Sequence, residues 1–192
     1  MRGGYEPHAE LDDIVDRAGT LSVRTMIVDV EPLVSWWDDS QESLDRGVAI
    51  IVGKVSAMPT LRVLVFATNS ARRPSAIPSG RDSAGQDSAG QGFEVRYVAA
   101  AGKPLRTAVY RGLPRPGAVV GDQIPTDGLL ARRLGFTFLH YQPQRADVPL
   151  GPRLLWGLGR LALPLLWGIR RSPGCPGSRT GTAPRGRPRR AR

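Results

Sequence analysis

The run Gly121-Asp122-Gln123-Ile124-Pro125-Thr126-Asp127 directly follows the apolar segment Gly117-Ala118-Val119-Val120, so two carboxylates stand just beyond a short hydrophobic stretch. An open α/β sheet presents acids to a ligand in this way. A buried parallel strand ends, the chain turns at a glycine, and the next side chains fall in the crevice beyond the carboxyl ends of the strands. The β-branched and apolar run Thr25-Met26-Ile27-Val28 also ends in an aspartate, Asp29. If the two strands are neighbours, Asp29, Asp122 and Asp127 share one edge of the sheet.

Like charges that close raise one another's pKa unless a cation is shared among them. Magnesium suits such a set, because it is a hard cation held by one or two carboxylates, waters and substrate phosphate oxygens. The site therefore points to phosphoryl chemistry. A Gly-Asp pair is also an ordinary turn signal, so Asp122 by itself is open to a purely structural reading.

The chain resembles the haloacid dehalogenase superfamily of phosphatases, and within it the YqeG-like branch that includes phosphatidylglycerophosphate phosphatases. The resemblance spans roughly Ile27 to Arg171. The family's D-x-D-x-T-L-V-x-W corresponds to Asp29-Val30-Glu31-Pro32-Leu33-Val34-Ser35-Trp36, and its strand-end hydroxyl plus Asn to Thr68-Asn69. A Lys-Pro pair is matched by Lys103-Pro104. The most specific match is G-D-Q-x-x-T-D followed by R-L-G-F, which stands as Gly121 to Asp127 and Arg133-Leu134-Gly135-Phe136.

The resemblance implies a role for each position. Asp29 is the nucleophile that forms an aspartyl-phosphate, splitting one hard hydrolysis into two easier steps. Thr68, with Asn69 beside it, binds substrate phosphate oxygens. Lys103, one of two lysines in an arginine-dominated chain, neutralises the phosphoryl group and orients Asp29. Asp122 holds magnesium with Asp29 and the main-chain carbonyl of Glu31, while Asp127 holds metal-bound water. The bland alternatives are a solvated surface lysine at 103 and an ordinary strand-end hydroxyl at 68.

The first motif departs from the family pattern. Its second aspartate, the general acid and base, is replaced by Glu31, and its threonine is replaced by Leu33 or lost in a one-residue deletion. Glutamate carries the same acid on a longer arm, and Pro32 restricts the backbone there. General acid–base help is worth roughly 10²–10⁴-fold, so misplacement removes rate without touching binding. A divergent phosphatase and a catalytically silent domain that binds a phosphorylated ligand or protein both remain open.

With 192 residues, one core of ordinary size is expected, with tails left over. The regular part is read as Leu21 to Gln142, within a domain spanning 21–150 and preceded by an N-terminal extension, 1–20. Leu44, Val48, Ile51, Val52 and Val55 predict a helix over Gln41 to Met58. Further helices are expected over Arg106 to Leu113 and Gly128 to Leu134, the latter capped by Gly135, and a strand over Phe136 to Tyr141. Alternation of strands and helices predicts a three-layer, Rossmann-like parallel sheet with helices on both faces. Too little sequence separates the motifs for a large cap domain.

Residues 71–92 are rich in Ser, Gly, Pro and Arg, with Asp-Ser-Ala-Gly-Gln repeated at Asp82 to Gln86 and Asp87 to Gln91. They are read as a flexible insertion. The tail 172–192 is Pro-, Gly- and Arg-rich and is read as disordered. Between core and tail, the segment 151–171 places Arg153, Gly157, Arg160, Pro164, Gly168 and Arg171 on one stripe of an otherwise apolar helix. With Arg160 inside it and Pro164 breaking it, lying in a membrane interface is favoured over crossing, and packing on the domain is the alternative.

The formal charge of +10 invites a nucleic-acid reading, but much of the excess lies in the tail and beside the apolar helix and no nucleic-acid motif is visible, so an anionic membrane surface is the favoured partner. Lone Cys175 excludes an internal disulfide, and His8 and His140 are read as surface or packing residues. No apolar signal core opens the chain, which predicts a cytoplasmic protein peripheral on the inner face of the membrane. The expectation is a magnesium-dependent phosphatase acting on a phosphomonoester, with phosphatidylglycerophosphate as the substrate that the resemblance implies.

Overall fold

The computed structural model describes residues 4–77, 92–142 and 150–168. In chain order the elements are β1 (Tyr5–His8), α1 (Leu11–Thr20), β2 (Thr25–Asp29), α2 (Gln41–Val55), β3 (Val63–Ala67) and β4 (Glu94–Val98). A short 3-10 turn (Ala108–Tyr110) precedes β5 (Gly117–Gly121). A wide π-type turn (Ile124–Gly128) then leads into α3 (Leu129–Leu134), β6 (Thr137–Tyr141) and α4 (Leu150–Trp167).

The strands form one six-stranded sheet in the order β1-β6-β5-β2-β3-β4, every neighbouring pair parallel. The chain runs outward from β2 through β3 to β4, then returns to β5 and continues to the other edge. The switch in direction therefore lies between β2 and β5, where open parallel sheets leave a crevice.

Side-chain alternation along the central strands builds two cores. Met26 and Val28 of β2 face α1 and α2, together with Leu64, Phe66, Ala118 and Val120. Ile27 faces the opposite layer with Val65, Val119, Phe138 and Leu130. Strands buried on both faces are apolar along most of their length, which is why β3, β5 and the middle of β2 read as near-continuous hydrophobic runs. The sheet is thus a three-layer, Rossmann-like α/β fold, as expected from the strand and helix alternation.

Helix α2 starts at Ser40, whose side chain accepts a hydrogen bond from the Ser43 amide at 3.2 Å, and it buries all five residues of its apolar stripe. It ends at Val55, one turn short of the expected limit. Gly47 lies against the carbonyl of Val34, where a Cβ would overlap the oxygen, so glycine lets α2 pack onto the loop that follows β2. Gly135 ends α3 in the left-handed conformation with φ 67°, the expected C-terminal cap.

The regular part begins earlier than Leu21. Residues 5–20 supply an edge strand and a helix that buries Ile14 and Ala18, rather than an extension outside the sheet. Arg17 grips Glu6 through two hydrogen bonds of 2.5 and 2.7 Å, tying α1 to β1. The expected helix over Arg106 to Leu113 shrinks to the single 3-10 turn, which buries Tyr110, with Leu113 buried beyond it, while Val109 faces solvent. Strand β4 carries the alternation Glu94-Val95-Arg96-Tyr97-Val98, a period-two signal at the sheet edge.

Of the insertion expected at 71–92, the described part is anchored. Gln41 donates to the Arg73 carbonyl at 2.9 Å, and the Ser75 amide donates to Asp45 at 2.8 Å. The duplicated pentapeptides and the tail 172–192 lie outside the described residues. Among the described residues no cap domain stands between the motifs, and none of their helices is long and apolar enough to cross a membrane.

Helix α4 continues through Pro164 to Trp167 and packs on the domain. Leu163, Leu166 and Trp167 join the second core, and Gly159 sits against Ile124 and Pro125 of the π-type turn. Leu154 and Leu161 remain exposed.

Candidate metal centre and active site

Register brings the first two acids together. β2 pairs with β5 so that Val28 lies opposite Val120, which places Asp29 and Asp122 side by side beyond adjacent strand ends. On its other side Asp29 pairs with Ala67, so Thr68 stands next to it at the end of β3. Asp127 arrives through the π-type turn, whose tight return folds its carboxylate back over Gly121. A Cβ at 121 would overlap that carboxylate, so the glycine of the Gly-Asp pair is required by the aspartate six residues later.

Asp29, Asp122 and Asp127 are all buried, and one oxygen from each lies within 4.8 Å of the others. Lys103 projects among them. Its Nζ is 2.7 Å from Asp29 Oδ1 and donates to Asp127 Oδ1 at 2.8 Å, with its side chain 2% exposed. The solvated-lysine alternative is thereby ruled out. Asn69 holds the lysine loop in place: its Oδ1 accepts from the Lys103 amide at 2.8 Å and its Nδ2 donates to the Lys103 carbonyl at 3.3 Å. Asn69 thus engages the lysine backbone with both ends of its amide.

Glu31 is also buried, and its two oxygens accept from Thr68 Oγ1 at 2.6 Å and Ser70 Oγ at 3.1 Å. Thr68 is fully buried and takes a bond from the Ser70 amide at 2.9 Å. Thr68 therefore faces the site, but its hydroxyl proton is engaged by Glu31.

Electrostatics in this crevice favour a shared cation. One ammonium cannot neutralise three carboxylates, and burial makes the excess charge costly. Burial pushes Asp29 well above the usual carboxylate range, with Asp127 adding to the effect and Lys103 opposing it. Burial likewise pushes Asp122 up to about 7, helped by Asp127 and opposed by the Trp156 hydrogen bond. For Lys103, burial acts downward, but Asp127 and Asp29 outweigh it and hold the ammonium above its ordinary value. Asp122 Oδ1 is buried with no hydrogen-bond partner among the described residues. An orphaned acceptor beside two other carboxylate oxygens fits a metal ion, and the triad can hold one.

The linkage has a measurable consequence. Unfolded, Asp122 ionises near its ordinary value of 3.8, whereas folded it keeps its proton until about 7. Between those values the folded state binds more protons, so stability falls as pH rises and levels off above the folded value. The full difference corresponds to about 4 kcal/mol. Urea unfolding in chelator from pH 4 to 8, taken as the difference between the parent and Asp122→Asn, is expected to follow this trend. A difference that is flat or rises with pH contradicts it.

Four groups at the site were outside the sequence expectation. Ser70 holds Glu31, and the Gln123 amide donates to Asp127 at 3.3 Å. His140 bonds the Asp122 carbonyl through Nε2 at 3.0 Å, with Nδ1 3.0 Å from the Tyr5 hydroxyl, so it supports the site from behind. Trp156 of α4 donates to Asp122 Oδ2 at 2.6 Å. Ser70, next to the Thr68-Asn69 pair, and Gln123, inside the run from Gly121 to Asp127, had a local signal. The contacts of His140 and Trp156 depend on strand order and on where α4 docks.

Comparison with protein-family models, with curated proteins and with solved structures finds no match for the chain.

Proposed function

We propose that the protein is a magnesium-dependent phosphatase that hydrolyses a phosphomonoester through an aspartyl-phosphate on Asp29. The observation that carries this reading is Lys103 bridging Asp29 and Asp127 at the switch point, beside Asp122 and its orphaned oxygen. The motif order shared with the haloacid dehalogenase superfamily supports it. Asp29, Asp122 and Asp127 would hold the cation, which would supply charge neutralisation for the phosphoryl oxygens.

In the first step an Asp29 carboxylate oxygen attacks phosphorus, the ester P–O bond breaks, and Glu31 gives its proton to the departing alcohol. In the second, water attacks the same phosphorus, Glu31 takes up its proton, and inorganic phosphate leaves with Asp29 restored. Lys103 balances charge on the phosphoryl group throughout.

The substrate class extends to lipids. Exposed Leu154 and Leu161 on α4, together with the net charge of +10, support action at the inner, anionic face of a membrane on a phosphomonoester such as phosphatidylglycerophosphate. Phosphate release with magnesium, from that lipid in vesicles and from soluble phosphomonoesters, tests the reading. Glu31→Gln is expected to lower turnover by roughly 10²–10⁴-fold with little change in KM.

The engagement of Glu31 by both Thr68 and Ser70 favours a second reading, in which the crevice binds a phosphorylated ligand without turning it over. Cation-dependent binding of phosphomonoesters with no phosphate released from any of them would select it.

A further inference from the structure

Helix α4 reaches the site from the far end of the described chain, and three contacts determine where it lies. Gly159 sits against Ile124 and Pro125, where a Cβ would come within 2.9 Å of Ile124. Trp167 stacks on Phe138 with ring centres 5.8 Å apart and touches Gly128. One turn before Gly159 on the same side, Trp156 donates its indole N–H to Asp122 Oδ2 at 2.6 Å. The main chain of Asp122 is held independently by His140 at 3.0 Å.

From this arrangement we infer that Trp156 is a positioning residue: its N–H occupies Oδ2 of Asp122 and so presents the other carboxylate oxygen, Oδ1, to a divalent cation. Oδ1 is buried and has no hydrogen-bond partner among the described residues. The inference rests on the reading that the aspartate triad takes a cation. An indole N–H suits the task because it is a donor only. It satisfies one lone pair of the ionised acid without bringing a positive charge that would compete with the cation. Partners of this kind orient metal ligands, and their loss typically costs 10–100-fold in metal affinity. Helix α4 then belongs to the metal centre as well as to the outer layer of the fold.

The test is calorimetric titration of Mn²⁺ and Mg²⁺ into the full chain, alongside thermal unfolding in chelator. Trp156→Phe keeps an aromatic ring and removes the donor. It is expected to raise the cation Kd by about 10–100-fold while the chelator melting temperature stays close to the parent's. Site-specific replacement of Trp156 by 3-benzothienylalanine, which keeps the bicyclic shape and lacks only the N–H, is expected to weaken binding as much. This second variant separates the hydrogen bond from packing. If the parent binds cation and the benzothienyl variant binds it equally well, the positioning role is overturned while the metal centre stands. If the parent takes up no cation, both fall.

Discussion

Asp29→Asn is expected to abolish cation-dependent phosphate release, by on the order of 10⁴-fold or more, as removal of a covalent nucleophile does in other hydrolases. The amide is nearly isosteric and its oxygen can still accept from Lys103, so the crevice keeps its shape. It cannot attack phosphorus. The variant is also expected to melt no lower than the parent in chelator, because burial already pushes Asp29 toward its neutral form and the amide is neutral at every pH. Loss of activity with an unchanged or raised melting temperature separates a chemical role from a structural one. Turnover equal to the parent's would remove Asp29 from the mechanism.

Lys103→Met is expected to be the most destabilising single substitution at the site. Lys103 is the only cation within reach of Asp29 and Asp127 among the described residues, at 2.7 and 2.8 Å. Removing one partner of a buried ion pair typically costs 3–5 kcal/mol, roughly, because the remaining charge is left uncompensated. The loss should depend on pH in a definite direction. At pH 8 the carboxylates are driven to ionise and lack their counter-ion. At pH 5, Asp122, pushed up to about 7, keeps its proton, and burial shifts Asp29 in the same direction, so less charge is stranded and the loss is smaller. Urea unfolding in chelator at both values measures it, and equal stability of parent and variant at pH 8 would contradict the arrangement described. Added magnesium or manganese should restore part of the loss if the triad takes a cation.

Much of the fold was legible because its signals are local. Short apolar runs at 26–28, 63–67 and 118–120 fit strands covered on both faces. The stripe on 44, 48, 51, 52 and 55 requires a helix packed on one side. The limits were harder to read. Tyr5–His8 is too short to show a period, and it becomes a strand because β6 offers an edge for it to pair with. The reverse happens at 106–113, where Tyr110 and Leu113 are buried but the helix does not extend beyond one turn.

The site divides along the same line. Which residues carry charge, and that Asp29, Thr68 and Asp122 end strands, is written in the order of residues along the chain, since a strand terminates where its own apolar run stops. That β2 lies between β3 and β5 is a property of the sheet alone, and it turns three separate strand ends into one crevice. Side-chain packing then decides the partners. It buries Lys103 between two acids, ties Glu31 to Thr68 and Ser70, and brings Trp156 to Asp122 across 34 residues of chain. Local pattern determines what each segment must bury, but the distance between two charges depends on where whole elements dock, and that is set by the packing of the entire sheet and its covering helices.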